Sequence, residues 1–311
     1  MSDKKLFILL NPHAAKGRGI ARKKEIVNLF SKSGYEATVV MTEKRNGASE
    51  LAYQATVEGW KTIVAAGGDG TVNEAVDGIL RAVAEKQIPT PRLGILPVGR
   101  GNDFAWGLGI PRNLKKAGEI IIAGKTRTID AGITYGGLYP EGRYFVNGQG
   151  VGFEPLINFV ASDFKHVSGT LSYLLAMVKV MINYPKPYHI QLTLDGETRY
   201  VETQQLSICN GRRMGSAFIM GPDALFDDGY FDVVFANRPI KSSHFLFFGL
   251  KFFKGNQVKH PSFTVVRAKN IKLVSENYPM PVHVDGEEIS KGCAQFSTEL
   301  LPSVLPVFMQ K

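Results

Sequence analysis

The sequence predicts an α/β domain built on a parallel sheet, followed by a second, β-rich domain. Two patterns and one size argument carry that expectation. Over the first ~130 residues, short apolar runs alternate with segments of helical spacing. Beyond Gly132 the dominant period drops to two. The 311-residue length exceeds what a single hydrophobic core usually organises.

Lys5–Leu10 reads as a buried strand that breaks at Asn11-Pro12. Helical spacing then runs over Ala21–Ser33 and stops at Gly34. Glu36–Met41 is a strand, Gly47–Glu58 a helix and Thr62–Ala66 a short apolar strand. Thr71–Ala84 is helical, Leu93–Leu96 a strand and Leu114–Ala123 a helix. Strands separated by helices of this length imply right-handed βαβ units and a parallel sheet covered on both faces. In the second half, Tyr188, Ile190, Leu192 and Leu194 alternate with His189, Gln191, Thr193 and Asp195. Val201–Cys209, Tyr230–Ala236, Phe263–Arg267, Ile271–Ser275, Pro281–Val284 and Gln295–Leu301 read as further strands of a sandwich or barrel. Helical patches at Leu156–Phe164, Leu171–Asn183 and Ser243–Lys254 interrupt them. The division falls at residue 132: 1–132 is the α/β domain, joined by about 300–311, and 133–299 is the β-rich domain.

Composition narrows the function. Hydrophobic residues make up 44% and charged residues 21%, an ordinary globular balance. The apolar N-terminal run is too short for a signal segment. Tyr173–Ile182 and Phe245–Phe253 each carry a lysine and fall short of the ~20 residues a spanning helix needs. Cys209 and Cys293 give neither a disulfide framework nor a zinc pattern, and the six histidines stand singly. Cytoplasmic residence follows. The net charge of +9 suits an anionic membrane surface or a phosphate-bearing substrate. Nucleic acid is disfavoured because the basic residues are dispersed and no recognition motif accompanies them.

The sharpest local signal is Gly67-Gly68-Asp69-Gly70-Thr71-Val72-Asn73-Glu74, placed between a strand and a helix. Glycine is costly inside an element, so a cluster at a strand's carboxyl end needs a reason. In an open α/β sheet that edge is where ligands bind. Bare backbone lets phosphate approach, and the helix start supplies N–H donors and a favourable dipole. Thr71 is placed to cap the helix or meet a phosphate. A turn in which Asp69 caps the helix stays open as the plain alternative. The pattern is neither the Rossmann nor the Walker glycine signature.

This segment resembles the signature of the diacylglycerol kinase catalytic family, which includes bacterial lipid kinases and sphingosine and ceramide kinases. Its glycine core is shared with NAD kinases and phosphofructokinases. Two flanking segments strengthen the likeness. Asn11-Pro12-His13-Ala14-Ala15-Lys16-Gly17 resembles the family's first-strand element. Leu93-Gly94-Ile95-Leu96-Pro97-Val98-Gly99-Arg100-Gly101-Asn102-Asp103-Phe104-Ala105 resembles its third. Ala15 stands where the family has glycine, and Arg100 where it has threonine.

The resemblance implies an NAD kinase/diacylglycerol kinase-like fold with the active site in the crevice between the two domains. It implies ATP on Asn11, Lys16, Thr42, Gly67, Gly68, Asp69, Gly70, Thr71, Val72, Asn73, Arg100, Asn102 and Asp103. Mg²⁺ is implied on Asp228 with the carbonyls of Leu225 and Tyr230; a plain Asp-Gly hairpin is the alternative there. Glu287, in Asp285-Gly286-Glu287, takes the role of general base toward the acceptor hydroxyl, with Asp69 as a second catalytic carboxylate. Asp130 matches another acidic position. The expected activity is ATP-dependent phosphorylation of a membrane lipid, diacylglycerol first, at the inner membrane face. Phe245–Lys254 reads as a core helix or a lipid-contacting surface. A soluble-substrate kinase of the NAD kinase type, an inert nucleotide- or lipid-binding protein, and a homodimer stay open.

Overall fold

A computed structural model describes residues 4–14, 19–44, 46–164 and 170–310. In chain order the elements are β1 (Lys5–Leu10), α1 (Gly19–Ser31), β2 (Glu36–Met41), α2 (Gly47–Val57), β3 (Thr62–Gly67) and α3 (Asp69–Lys86). Next come β4 (Arg92–Pro97), α4 (Asp103–Gly107), α5 (Leu114–Ala123), β5 (Thr126–Gly136), β6 (Tyr139–Phe145) and β7 (Gly148–Gly152). Then follow α6 (Phe153–Ser162), α7 (Thr170–Ile182), β8 (Tyr188–Leu194), β9 (Glu197–Thr203) and β10 (Gln205–Cys209). β11 (Arg213–Met214), β12 (Phe218–Ile219), β13 (Phe231–Ala236), α8 (Phe245–Phe252), β14 (Phe263–Ala268) and β15 (Asn270–Ser275) precede β16 (Met280–Val284), β17 (Glu287–Cys293) and β18 (Gln295–Phe308).

The chain forms two compact units. The first comprises Met1–Ala131, Tyr144–Val146 and Pro302–Lys311. Its strands run parallel in the order β2-β1-β3-β4, and the last residues of β18 continue the series, with Val307 beside Leu93. β3 is buried along its whole length, as its unbroken apolar sequence requires when helices cover both faces. Parallel pairing puts the carboxyl ends of these strands, and the loops that leave them, on one edge.

Helices α2 and α3 pack closely because Gly78 lacks a side chain. A Cβ there would lie 2.1 Å from the Ser49 carbonyl oxygen. Glu74 completes the contact: its carboxylate accepts from the Asn46 and Ala48 amides at the start of α2, at 2.9 and 3.0 Å.

The second unit comprises Gly132–Arg143 and Asn147–Leu301. One antiparallel sheet has the order β14-β13-β10-β7-β16-β17. β9, β8, β15 and the first part of β18 form another antiparallel run. The sheets face each other across a fully buried polar cluster. The Thr298 hydroxyl donates to Gln149 Oε1 at 2.6 Å, with Thr134 Oγ1 3.1 Å away, so these interior polar groups are paired. Among the described residues, no helix is long and apolar enough to cross a membrane.

Candidate active site

On the carboxyl edge of the first unit, β3 ends in Gly67, Gly68 is the N-cap and α3 begins at Asp69. The helix therefore starts two residues earlier than its side-chain periodicity indicates, and Thr71 does not cap it. Instead the Thr71 hydroxyl accepts from Asn11 Nδ2 at 3.1 Å, which ties the loop after β1 to the start of α3. The Asn11 amide also donates to the Ala66 carbonyl at 3.0 Å. Gly67 is obligatory here: a Cβ would fall 2.3 Å from Thr71 Oγ1. Gly19 opens α1 against the same corner, its missing Cβ 2.1 Å from the Asn11 carbonyl oxygen. Thr42 is buried at the end of β2, its amide donating to Leu10 O at 3.0 Å.

The loop after β4 lies directly against this turn. Val98 and Gly99 amides both donate to the Gly67 carbonyl at 3.0 Å. A Cβ on Gly99 would lie 2.2 Å from Gly68 Cα, so the two backbones touch where both chains lack side chains. Asn102 adopts left-handed backbone (φ 56°) and donates through Nδ2 to the Gly99 carbonyl at 2.9 Å. Asp69 closes the arrangement. Its Oδ1 accepts from the Asp103 amide at 2.6 Å and the Phe104 amide at 3.3 Å, so it caps α4 rather than its own helix. Burial pushes the Asp69 carboxyl above its usual range, against the pull of the Phe104, Asp103 and Asn102 amides.

Asn11, Thr42, Gly67, Gly68, Asp69, Gly70, Thr71, Arg100, Asn102 and Asp103 thus share one edge of one sheet. Val72 and Asn73 follow in the first turns of α3, with polar groups bonded within the unit. The Val72 amide is spent on Gly68 O at 3.1 Å, and the fully buried Asn73 side chain donates to Tyr144 O at 3.2 Å. Both hold α3 in place. Asp130 is structural too: its Oδ1 accepts from the Ser303 amide at 2.8 Å. Arg100 is exposed, its carbonyl held by Arg112 Nη2 at 3.0 Å. Lys16 and the departure at Ala15 lie outside the described residues.

In the second unit, Asp228 sits in the turn before β13, with Gly229 in the left-handed region (φ 75°). Its Oδ1 accepts from the Tyr230 amide at 3.1 Å, and its other oxygen pairs with Arg267. The Arg267 guanidinium stacks over the Tyr230 ring at 4.4 Å. Asp232 is pushed up by burial, opposed by Arg267 and reinforced by Asp228 and Asp223. The oxygens at this turn are hard donors of the kind Mg²⁺ takes, but among the described residues no cluster of three acidic or imidazole groups forms there, and Arg267 already pairs with Asp228.

Glu287 opens β17 and is half-buried. Asp285 (φ 49°) and Gly286 (φ 86°) form the two-residue turn before it, and Val284 pairs with Glu287. Asp285 Oδ1 accepts from the Asn147 and Gly148 amides at 2.9 and 2.8 Å.

No local motif in the sequence marks an apolar pocket in this unit. Phe153, Ile157, Met177, Tyr184, Met220 and Phe248 are among its walls. The Tyr184 phenol is pushed up to about 12 by burial and donates to Ile240 O at 2.7 Å. The pocket is assembled from α6, α7, α8 and short strands far apart in sequence. Both cysteines are free thiols raised by burial.

Comparison with known proteins adds independent observations. The sequence profile of the diacylglycerol kinase catalytic domain matches residues 5–133. That of the YegS C-terminal NAD kinase beta sandwich-like domain matches residues 149–309. A diacylglycerol kinase of Bacillus subtilis (strain 168) is 30% identical over 91% of this chain and 90% of its own length. One from Staphylococcus aureus (strain bovine RF122 / ET3-1) is 29% identical over 94% of this chain and 89% of its own. The crystal structure of a diacylglycerol kinase from Bacillus anthracis str. Sterne superposes with a TM-score of 0.72 at 22% identity, covering 99% and 97% of the two chains. An NAD kinase from Archaeoglobus fulgidus in complex with ATP gives 0.56 at 14% identity, covering 99% and 94%, a likeness of fold.

Proposed function

The chain belongs to the diacylglycerol kinase family and is a lipid kinase, and from that premise we propose that it transfers the γ-phosphate of ATP to the free hydroxyl of diacylglycerol, giving phosphatidic acid. The observation that carries the choice of acceptor is the apolar pocket of the second unit. Its aromatic and aliphatic walls suit an acyl chain and offer little to a dinucleotide.

In this reading the turn at Gly67–Thr71 receives the triphosphate. Backbone without side chains allows close approach, and the amides of Gly70 and Thr71 at the start of α3 face the anion with the helix dipole behind them. Asn11 and Asn102 fix the flanking loops, so the donors are arranged before ATP arrives. Glu287 takes the proton from the lipid hydroxyl as its oxygen bonds to the γ-phosphorus. The bond to the β–γ bridging oxygen breaks and ADP leaves. Asp228 with the carbonyls of Leu225 and Tyr230 would hold a Mg²⁺ ion, which would supply positive charge to offset that of the phosphate oxygens.

Leu175, Val178 and Ile182 on α7, and Phe247 and Leu250 with nearby Phe253 on and after α8, are exposed. Phe248, one turn face away from Phe247, is buried in a core cluster. The segment thus serves both as core and as surface. Lys179 accompanies the exposed aliphatic side chains of α7, and Lys251 and Lys254 the exposed rings at α8, which suits peripheral contact with an anionic inner membrane face.

The test offers the protein radiolabelled ATP with dioleoylglycerol in mixed micelles, and in parallel ATP with NAD. Labelled phosphatidic acid without NADP is the expected result. NADP formation with no labelled lipid would overturn the proposal in favour of a soluble acceptor.

A further inference from the structure

The hairpin that presents Glu287 is held by a chain of groups that reaches deep into the second unit. Its ladder closes on Val284 and Glu287, which leaves the Gly286 peptide to side chains. The Gly286 N–H donates to His283 Nδ1 at 3.2 Å, and its carbonyl accepts from Asn158 Nδ2 at 2.8 Å. His283 is only 2% exposed, and its other ring nitrogen, Nε2, lies 3.2 Å from Glu154 Oε1.

Glu154 stands in the first turn of α6, its amide fixed by Gln205 Oε1 at 3.0 Å. The pair rests on bare backbone: a Cβ on Gly150 would fall 2.7 Å from His283 Nε2 and 2.6 Å from Glu154 Oε2. Glu154 Oε2 is itself buried without a hydrogen-bond partner among the described residues. A half-satisfied buried carboxylate costs stability, so its retention calls for a role.

We infer that His283 is a positioning residue for Glu287, and that Glu154 fixes its tautomer. Because Nδ1 accepts from an N–H group, it carries no proton, and the ring proton sits on Nε2 facing the Glu154 carboxylate. The imidazole then anchors the Gly286 N–H, one residue before the base. Asn158 holds the carbonyl of the next peptide, which joins Gly286 to Glu287, so both peptides flanking Gly286 are fixed and the Glu287 carboxylate meets the acceptor hydroxyl at a fixed angle. The register of β16 and β17 shifts between Val282 and His283, whose partners are Ser290 and Glu288. This inference rests on Glu287 being the base.

Two measurements on the full chain test it. The first is a long-range ¹H–¹⁵N spectrum of labelled wild-type protein, with the His283 signals identified by their loss in His283→Asn. An unprotonated Nδ1 and a protonated Nε2 are expected, and an Nδ1–H tautomer overturns the inference whatever the kinetics show. The second compares lipid phosphorylation by wild type, Glu287→Ala, His283→Ala and His283→Asn. Glu287→Ala should be inactive. His283→Ala should lose about 10- to 100-fold in kcat, the scale of a misplaced catalytic group, at unchanged KM for ATP. His283→Asn offers an oxygen where Nδ1 lies and should recover most of that loss. A dead Glu287→Ala enzyme beside a fully active His283→Ala enzyme overturns the inference alone. A fully active Glu287→Ala enzyme removes the base assignment and the inference with it. Should His283→Ala fail to fold, the spectrum and His283→Asn still decide.

Discussion

Asp69 carries a cost to the fold that its proposed place in the site would account for. The folded state holds its proton to higher pH than an ordinary aspartate, which titrates near 3.8. Between 3.8 and the raised value the native state therefore binds more protons than the unfolded chain, so stability falls as pH rises through that window and stays lowered above it. Asp69→Asn keeps the oxygen that accepts from Asp103 and Phe104 but lacks the charge. We predict a higher Tm than wild type at pH 7, a smaller gap near pH 3.5, and at least about a 100-fold loss of lipid phosphorylation. Scanning calorimetry at the two pH values, with the micelle assay, checks this; a Tm at or below wild type at pH 7 contradicts it. At this scale the sequence revealed residues whose type is unusual for their place, such as the Gly-Asp-Gly cluster. It did not reveal His283 or Glu154, because a lone histidine in a strand and a glutamate opening a helix are both commonplace. The only legible hint was Gly148, Gly150 and Gly152 at alternate positions of one strand, which signals close approach by something else.

Between elements, the decisive contact is the backbone junction of the loops after β3 and β4. A methyl group at Gly99 meets main chain at 2.2 Å, whereas one at Gly68 meets it at 3.3 Å. Main chain cannot swing aside, so Gly99→Ala should lose about 1–3 kcal/mol of stability and most ATP binding, and Gly68→Ala should lose clearly less stability. Urea unfolding and isothermal titration with ATP measure both; equal effects would contradict the geometry. At the Asp228 turn, Mg²⁺ should raise the thermal midpoint of the wild-type protein, and that increment should vanish in Asp228→Asn. Differential scanning fluorimetry with and without millimolar Mg²⁺ reads it, and an increment that survives the substitution places the ion elsewhere. The strands of the first unit were legible because a doubly covered parallel sheet leaves unbroken apolar runs. The start of α3 was not. Glycine's low helix propensity masks the first turn, which here is held by Gly68 as N-cap and by the main-chain contact with the next loop.

For the whole molecule, the change in periodicity near residue 132 is legible because it reflects a change from helix-covered to sheet-on-sheet packing. The compact units divide after Ala131, and Tyr144–Val146 returns to the first unit. Three residues carry no period, so sequence alone could not assign them. They are held there by Asn73 and Asp77, a turn apart on α3, which grip the Tyr144 carbonyl and amide at 3.2 Å each. The exposed rings at α8 carry a prediction at this scale. Replacing Phe247 and Leu250 by aspartate should weaken sedimentation with phosphatidylglycerol-rich vesicles about tenfold or more while leaving ATP affinity intact. Unchanged vesicle binding would locate the membrane contact elsewhere. The last stretch of β18 also has a bearing on biogenesis. Val307 lines up beside Leu93, so β4 stays a bare edge until a segment made roughly 200 residues later (302 − 97) arrives. At ordinary translation speeds that wait is about 10–40 s. During it the nascent first unit exposes an unpaired apolar strand, and chaperones have their longest opportunity to act on it.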